Sequence, residues 1–453
     1  MENFISSGFG QFLLSLFSPH FSAPSLNSFL ILSYGWSQGG LSHTIAEYLW
    51  QSGAVNYKHF SRYYLFLSTA FLIKLNDLWA KLILQGVAYL PIDMDVVIQV
   101  DDTTRKKSGR KIEGASKYRN GAGSARQEYR SIWGLNFVYA IWLFPLQKYN
   151  CSLPIPLGLW VYVKKAECKA LGIKYRTRSA LGRSLSDRFA YLLPFRRIRL
   201  CADGGYSTRY FLRDLPKNVY AVGRFPIKSR LLDQLKPTDD KRRTKGADLG
   251  TPKEWKGGKN DWKKLPDEAQ TSYRIEQGYW HSVLPGVWIK VVVIWRKDAH
   301  KSKSSQKELE AFFSTCSTFS HQQILSYYRE RWSIEIDIRN AYAYYGLGQD
   351  RCRNLNRING INNFRLLLAA ARTLFFIQQI QDQQLHPLTY LRPWYKKKKK
   401  FSQLDLLIAF EQYMQQAGVT PTPRFWVDTP QTQQPKQRLH WHITYQKAHT
   451  KVA

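Results

Sequence analysis

The chain has 453 residues, long enough for two or three domains or one large core with insertions, and its 44% hydrophobic and 15% aromatic residues are too many for a wholly disordered protein. Its 67 Lys and Arg against 33 Asp and Glu leave a formal charge of +34. Self-repulsion on that scale is best tolerated when the working partner is a polyanion, and nucleic acid is the commonest one.

Residues 1–90 are expected to be helical: "LSHTIAEYLWQSGAVNYKHFSRYYLFLSTAFLIKLNDLWAKLIL" has helical apolar spacing interrupted by a Ser52-Gly53 turn. Two helices about a short turn suit either a helix-turn-helix, with His59, Arg62 and Tyr63 on its second helix, or plain packing in an all-α domain. After Pro91 the pattern changes to strands. "VVIQV" (Val96 to Val100) runs into Asp101-Asp102-Thr103-Thr104, and "GLNFVYAIWLFPL" and "PIPLGLWVYVK" follow as strands rich in β-branched and aromatic residues. A helix over about Ser179 to Leu193, the strand of "RIRLCADGGYS", the short helix "TRYFLRDL" and the strand "VYAVGRF" complete residues 91–225. This order predicts an α/β fold with a right-handed crossover between parallel strands.

Residues 226–300 are basic and Gly-rich before turning to strand in "GVWIKVVVIWRK", and predict a β-rich insertion carrying Trp255, Trp262, Trp280, Trp288 and Trp295. Residues 301–380 return to helix, first in "YYRERWSIEIDIRNAYAYYGLGQDR" and then from about Asn362 to Gln378. Residues 381–453 hold the run Lys396 to Lys400, a further helix in "FSQLDLLIAFEQYM" and a Pro/Gln/Thr-rich tail expected to be disordered. Cys151, Cys168, Cys201, Cys316 and Cys352 form no C-x-x-C pair, which argues against a zinc ribbon or a disulfide framework and fits a reducing compartment. No 18-residue apolar run or leader pattern occurs, so a cytoplasmic protein with no membrane partner is expected.

Asp101 and Asp203 each close an apolar strand run, and in open α/β sheets ligands sit at the carboxyl ends of strands. Two carboxylates side by side repel, and a hard divalent ion such as Mg2+ is the usual remedy; a strand-end turn is the simpler role for either Asp alone. On the later helix, Arg331, Glu335, Arg339 and Tyr342 share one face, with Ile334, Ile338 and Tyr345 on a neighbouring stripe suited to packing on the sheet. By itself such a face could equally be a solvated ion-pair helix.

"YRERWSIEIDIRNAY" resembles the signature helix of DDE transposases from bacterial insertion sequences, in which Tyr, Arg, Glu and Lys recur after two, three and six spacers. Tyr328, Arg331 and Glu335 match in type and spacing, Trp332 and Ile334 match the common core, and Tyr342 stands where that family has Lys. Asp101-Asp102-Thr103 resembles the first-strand motif, with Asp102 as the alternative register, and "ADGGYS" resembles the second, an Asp closing the fourth strand with an aromatic three residues on, here Tyr206. "GLGQDR" and "RPWYKKK" are similar to the C-terminal region of that group, and the resemblance spans about residues 30 to 410.

The resemblance implies an RNase H-like mixed sheet flanked by helices, interrupted by a β-rich insertion and preceded by a helical DNA-binding domain. It implies two Mg2+ ions, with Mn2+ as substitute, held by Asp101, Asp203 and Glu335. It further implies DNA contacts from Tyr328, Arg331, Trp332 and Arg339, in a homodimer bound to double-stranded element ends and target in the bacterial cytoplasm, nucleoid-associated when bound. Lys106, Lys107, Arg110 and Lys111 are placed to track a DNA backbone or to form a loose basic loop, and the insertion's tryptophans to stack on an unpaired base or to fill a core. The expected activity is metal-dependent cleavage at the ends of a mobile element and joining to target DNA. The alternatives are an RNase H-like nuclease or resolvase without strand transfer, and a catalytically inactive DNA-binding derivative.

Overall fold

Long stretches of β-branched and aromatic side chains leave the middle of the chain little choice but a sheet covered on both faces. The computed structural model describes residues 1–39, 42–119, 131–233, 248–256, 262–265, 268–296, 308–382 and 401–419, with the side chains of 266–270 set aside. The expectations for the Lys396 to Lys400 run and for most of the Pro/Gln/Thr-rich tail lie outside these residues.

Six helices come first: α1 (Glu2–Ser6), α2 (Gly8–Phe17), α3 (Ala23–Ser37), α4 (Ile45–Gln51), α5 (Ser61–Ser68) and α6 (Ala70–Val87). A helix-turn-helix is not what they form. Residues 52–60 separate α4 from α5, α4 packs on α3, and α5 packs on a late helix and on α6, while Tyr63 is wholly buried. A helix-turn-helix needs a turn of three or four residues; of the residues expected on its second helix, His59 and Arg62 stay exposed.

The core follows as β1 (Val96–Lys106), β2 (Ser116–Arg119), β3 (Ser131–Leu146), β4 (Cys151–Tyr162), α7 (Lys165–Ala170), α8 (Arg178–Leu192), β5 (Ile198–Ala202), α9 (Arg209–Leu212) and β6 (Val219–Arg224). The strand–helix–strand order expected from sequence is present, with β2 as an addition. β1, β3 and β4 run antiparallel, whereas β1, β5 and β6 run parallel. The result is a mixed sheet in the order β4-β3-β1-β5-β6, consistent with an RNase H-like fold.

The insertion supplies β7 (Leu231–Leu232), β8 (Asp248–Gly250), α10 (Pro252–Trp255), β9 (Lys263–Leu265), β10 (Glu268–Tyr279), β11 (Trp288–Arg296) and β12 (Leu309–Ser314). It is β-rich, as expected, and continues the central sheet because β12 pairs antiparallel with β6. Next come α11 (His321–Glu330), α12 (Trp332–Asn340), α13 (Leu355–Gln381) and α14 (Gln403–Gln416).

α13 is buried along almost its whole length. Its Phe364 and Phe375 meet Phe29, Phe71 and Phe9 of the N-terminal helices edge-on, so those helices and the sheet share one continuous apolar core. Two buried arginines on α13 tie the remaining parts together. Arg365 donates to the carbonyls of Gly346 (2.7 Å) and His43, and Arg372 lies 5.0 Å from the ring of Trp36 and 5.6 Å from that of Phe410. Among the described residues no helix is long and apolar enough to cross a membrane.

A candidate active site where the parallel strands end

The last register pair between the parallel strands is Val100 with Ala202, so Asp101 and Asp203 are the next residues on adjacent chains. Neighbouring strands lie about 4.8 Å apart, which brings together two carboxylates that are remote in sequence. Asp203 follows β5 and starts a tight turn through Gly204–Tyr206, as expected. Asp101 departs from expectation, since β1 continues to Lys106 and the aspartate is a mid-strand residue opposite Tyr139 of β3.

Because side chains alternate along a strand, Asp101 and Asp102 face opposite sides of the sheet. Asp101 faces α12, where Arg331 Nη1 lies 3.5 Å from its Oδ2. On the α8 side Asp102 accepts from Asn136 (2.8 Å) and lies 3.6 Å from Arg178 Nε. Only the Asp101 register therefore joins the other expected site residues.

The signature helix is not continuous. Arg331 interrupts it between α11 and α12, and a π-helical turn, Ala341–Tyr345, ends it at Gly346 in the left-handed region (φ 81°). Gln99, fully buried in β1, bridges the interruption: its amide nitrogen donates to the Glu330 carbonyl (2.8 Å), and its oxygen accepts from Ile334 N–H (3.1 Å). Buried backbone groups freed from a helix need such partners. The one amide inside the apolar run "VVIQV" was the available signal for this role, and sequence reasoning passed over it.

Two side chains one helical turn apart, Tyr328 and Arg331, between them reach all three carboxylates. Tyr328 O–H donates to Asp203 Oδ1 (3.4 Å), and Arg331 holds Glu335 Oε1 through Nη2 (2.7 Å) while its other terminal nitrogen faces Asp101. Burial pushes the Asp101 carboxyl up to about 7, against the pull of the Asp102 N–H and Arg331, with the Asp102 and Asp203 charges adding to the push. Burial likewise raises the Tyr328 phenol to about 12, so it stays a hydrogen-bond donor. Ile334, Ile338 and Tyr345 are buried on the neighbouring stripe, as the helical spacing predicts.

Three carboxylates are a hard-oxygen donor set of the kind Mg2+ prefers, and a buried Asp101 with one cation at 3.5 Å is under-compensated. The chemistry of the donors fits a divalent ion. Yet among the described residues no three acidic, His or Cys side chains already form a cluster around one point. Arg331 bridges Asp101 and Glu335 in their stead.

The remaining expected residues divide. Trp332 (55% exposed), Arg339 and Lys106 reach the surface. Lys107 was expected on DNA but is committed elsewhere: its ammonium is buried and donates to the carbonyls of Gly348 and Asp350 (each 2.9 Å) and to the Asp350 carboxylate (3.0 Å). "GLGQDR" therefore closes over β1 through a buried ion pair. Tyr342, at the family's Lys position, is mostly buried, shares a hydrogen bond with Thr103 (3.0 Å), and has the Arg105 guanidinium 5.1 Å from its ring. Arg339, three residues before it, is exposed.

Beside Tyr328 and Arg331 a cleft of about 290 Å3 opens between the insertion and the helix, walled by Phe312, Ile294 and Trp332 and rimmed by Arg296 and Arg329. None of the insertion's tryptophans lines it. Trp255 and Trp280 are buried, Trp262 packs against Trp295, and Trp288 stacks edge-on with Tyr279. Glu310, at the back of the cleft, bridges Arg224 and Arg296.

Residues 180–374 match a family model described as a transposase DDE domain. The match includes Asp203, the insertion and Glu335, and starts after β1. No curated protein matches the chain.

Proposed function

Starting from the match of residues 180–374 to a transposase DDE domain, we propose that the chain is a DDE transposase of the insertion-sequence type that cuts DNA at the ends of its own element and joins the 3′ ends to target DNA. The observation that carries this reading is the convergence of Asp101, Asp203 and Glu335 on one turn of α11–α12 through Tyr328 and Arg331. A structural ion pair needs two of these groups; a site for phosphoryl transfer needs all of them.

Asp101, Asp203 and Glu335 are the residues that would hold divalent ions, which supply a lowered pKa for an attacking water or 3′-hydroxyl and neutralise charge on the phosphate. Arg331 offers a bidentate, charge-assisted contact to a phosphate oxygen once it is released from the carboxylates. Tyr328 donates a hydrogen bond next to Asp203. The cleft beside them, apolar on one wall and cationic on its rim, suits an unpaired nucleotide near the cut, with Trp332 as the stacking surface. Lys106, Arg110, Lys111 and Arg339 are exposed cations available to meet the DNA backbone, and a homodimer would bring two ends together.

The test is incubation of the purified chain with Mg2+, a duplex carrying the DNA that flanks its reading frame, and a target plasmid. Joined products support the transposase. Cleavage without joining would make it a nuclease or resolvase, and binding without cleavage an inactive derivative.

A further inference from the structure

Asp102 opens a second surface, on the face of the sheet opposite Glu335. Arg178, at the start of α8, reaches it at 3.6 Å and lies over the ring of Tyr162 (4.9 Å) and near that of Tyr118 (5.9 Å). Lys164 lies 5.4 Å from the ring of Tyr118 and is fixed by a hydrogen bond to the Lys117 carbonyl (2.8 Å). Tyr175 extends the row, its hydroxyl 3.3 Å from that of Tyr162. Around this floor stand the exposed side chains of Lys117, Lys165, Lys174 and Arg176. Between Lys164 and Arg178 six cations face a single acid, Glu167.

We propose that this strip, from Lys164 to Arg178 with Lys117 of β2, is a docking surface for the phosphate backbone of duplex DNA. The proposal rests on the DNA-processing reading above and adds where the duplex runs. Register pairs Thr104 of β1 with Asn136 of β3, and Asn136 with Tyr162 of β4, so the floor lies two strands from the site. Asp101 is a further three residues along β1, so the separation is about 10 Å across the sheet and about 10 Å along it. The strip and Asp101 lie on opposite faces of the sheet, so the strip holds a stretch of duplex apart from the phosphate at the site.

The tyrosines argue for phosphate contacts over base stacking. Tyr118 is 3% exposed and Tyr162 half-buried, so their rings hold cations in place from below and present no free face to a splayed base. A loose run of lysines would be solvated; cations pinned over rings and carbonyls are pre-ordered and lose less freedom on binding.

Binding of the full chain to a 40-base-pair duplex lacking element ends, without divalent ion and over a range of KCl, tests this. The triple variant Lys165→Gln, Lys174→Gln, Arg176→Gln should lower the slope of log Kd against log salt by about 2 to 3 and weaken binding at least about tenfold at moderate salt. A control triple with the same charge change at exposed sites elsewhere, Lys81→Gln, Lys148→Gln, Lys217→Gln, should move the slope by less than about 1. Equal effects of the two triples would overturn the proposal, as would no effect of the first; the latter is also what a strip for an acidic protein partner would give. No cleavage enters the measurement. An inactive site therefore leaves its outcome untouched, and a failed strip leaves the cleavage assay to stand on its own.

Discussion

Asp101 and Asp102, adjacent on β1, send their carboxylates to opposite faces of the sheet, one to Arg331 and the other to Arg178 and Asn136. Asp101→Asn is therefore expected to reduce cleavage by about a thousandfold or more with little change in folding, because it removes a charge from the proposed metal-binding set. Asp102→Asn should keep cleavage within about tenfold and lower stability by about 1–2 kcal/mol, having lost its charge against Arg178. A plasmid cleavage assay alongside urea unfolding separates the two; reversed roles would place the site in the other register.

Arg331 compensates two carboxylates at once. Arg331→Met should leave Asp101 and Glu335 without their cation, so Mn2+ measured by electron paramagnetic resonance in the absence of DNA is expected to bind more tightly than to the parent chain. Cleavage should still fall, by about 10- to 100-fold, through loss of the proposed phosphate contact. Unchanged Mn2+ affinity would mean that the guanidinium does not compete for the carboxylates.

Gly346 ends the signature helix at φ 81°, and a Cβ there would run into the His43 side chain. Gly346→Ala combines a left-handed backbone with a clash, at a cost of about 2–4 kcal/mol. Thermal or urea unfolding checks this, and a change under about 0.5 kcal/mol would show that the helix end can shift freely.

His43 should make stability pH-dependent. Burial, with Arg365 and Arg372 adding, holds its imidazole down from 6.5 to about 4. Since the folded value is the lower one, the unfolded chain takes up the proton first. The contribution is complete above about pH 6.5 and is lost as pH falls toward 4, amounting to about 3 kcal/mol at most. His43→Gln should flatten the stability profile across that interval, and an unchanged slope would exclude His43 as its source.

Tyr342→Phe removes the hydroxyl shared with Thr103 and should cost about 1 kcal/mol while cleavage persists. Loss of cleavage at unchanged stability would give the phenol a part in the chemistry that its burial argues against.

Local pattern alone determined a good deal here. Runs of β-branched and aromatic residues specified β1, β3, β4, β5 and β6, and helical spacing specified the buried stripe of Ile334 and Ile338, while resemblance to a family signature nominated Asp101, Asp203 and Glu335. These are properties of neighbours along the chain, where period and residue type suffice. What spacing cannot carry is which face a partner from another element occupies. Tertiary structure decided that Asp101 and not Asp102 faces Glu335, that Gln99 repairs the helix interrupted at Arg331, and that Lys107 belongs to a buried ion pair with Asp350. It also withdrew Tyr63 and two insertion tryptophans from the surface. Each outcome depends on contacts between residues far apart in the chain, whose energies are set by packing and desolvation after the elements have met.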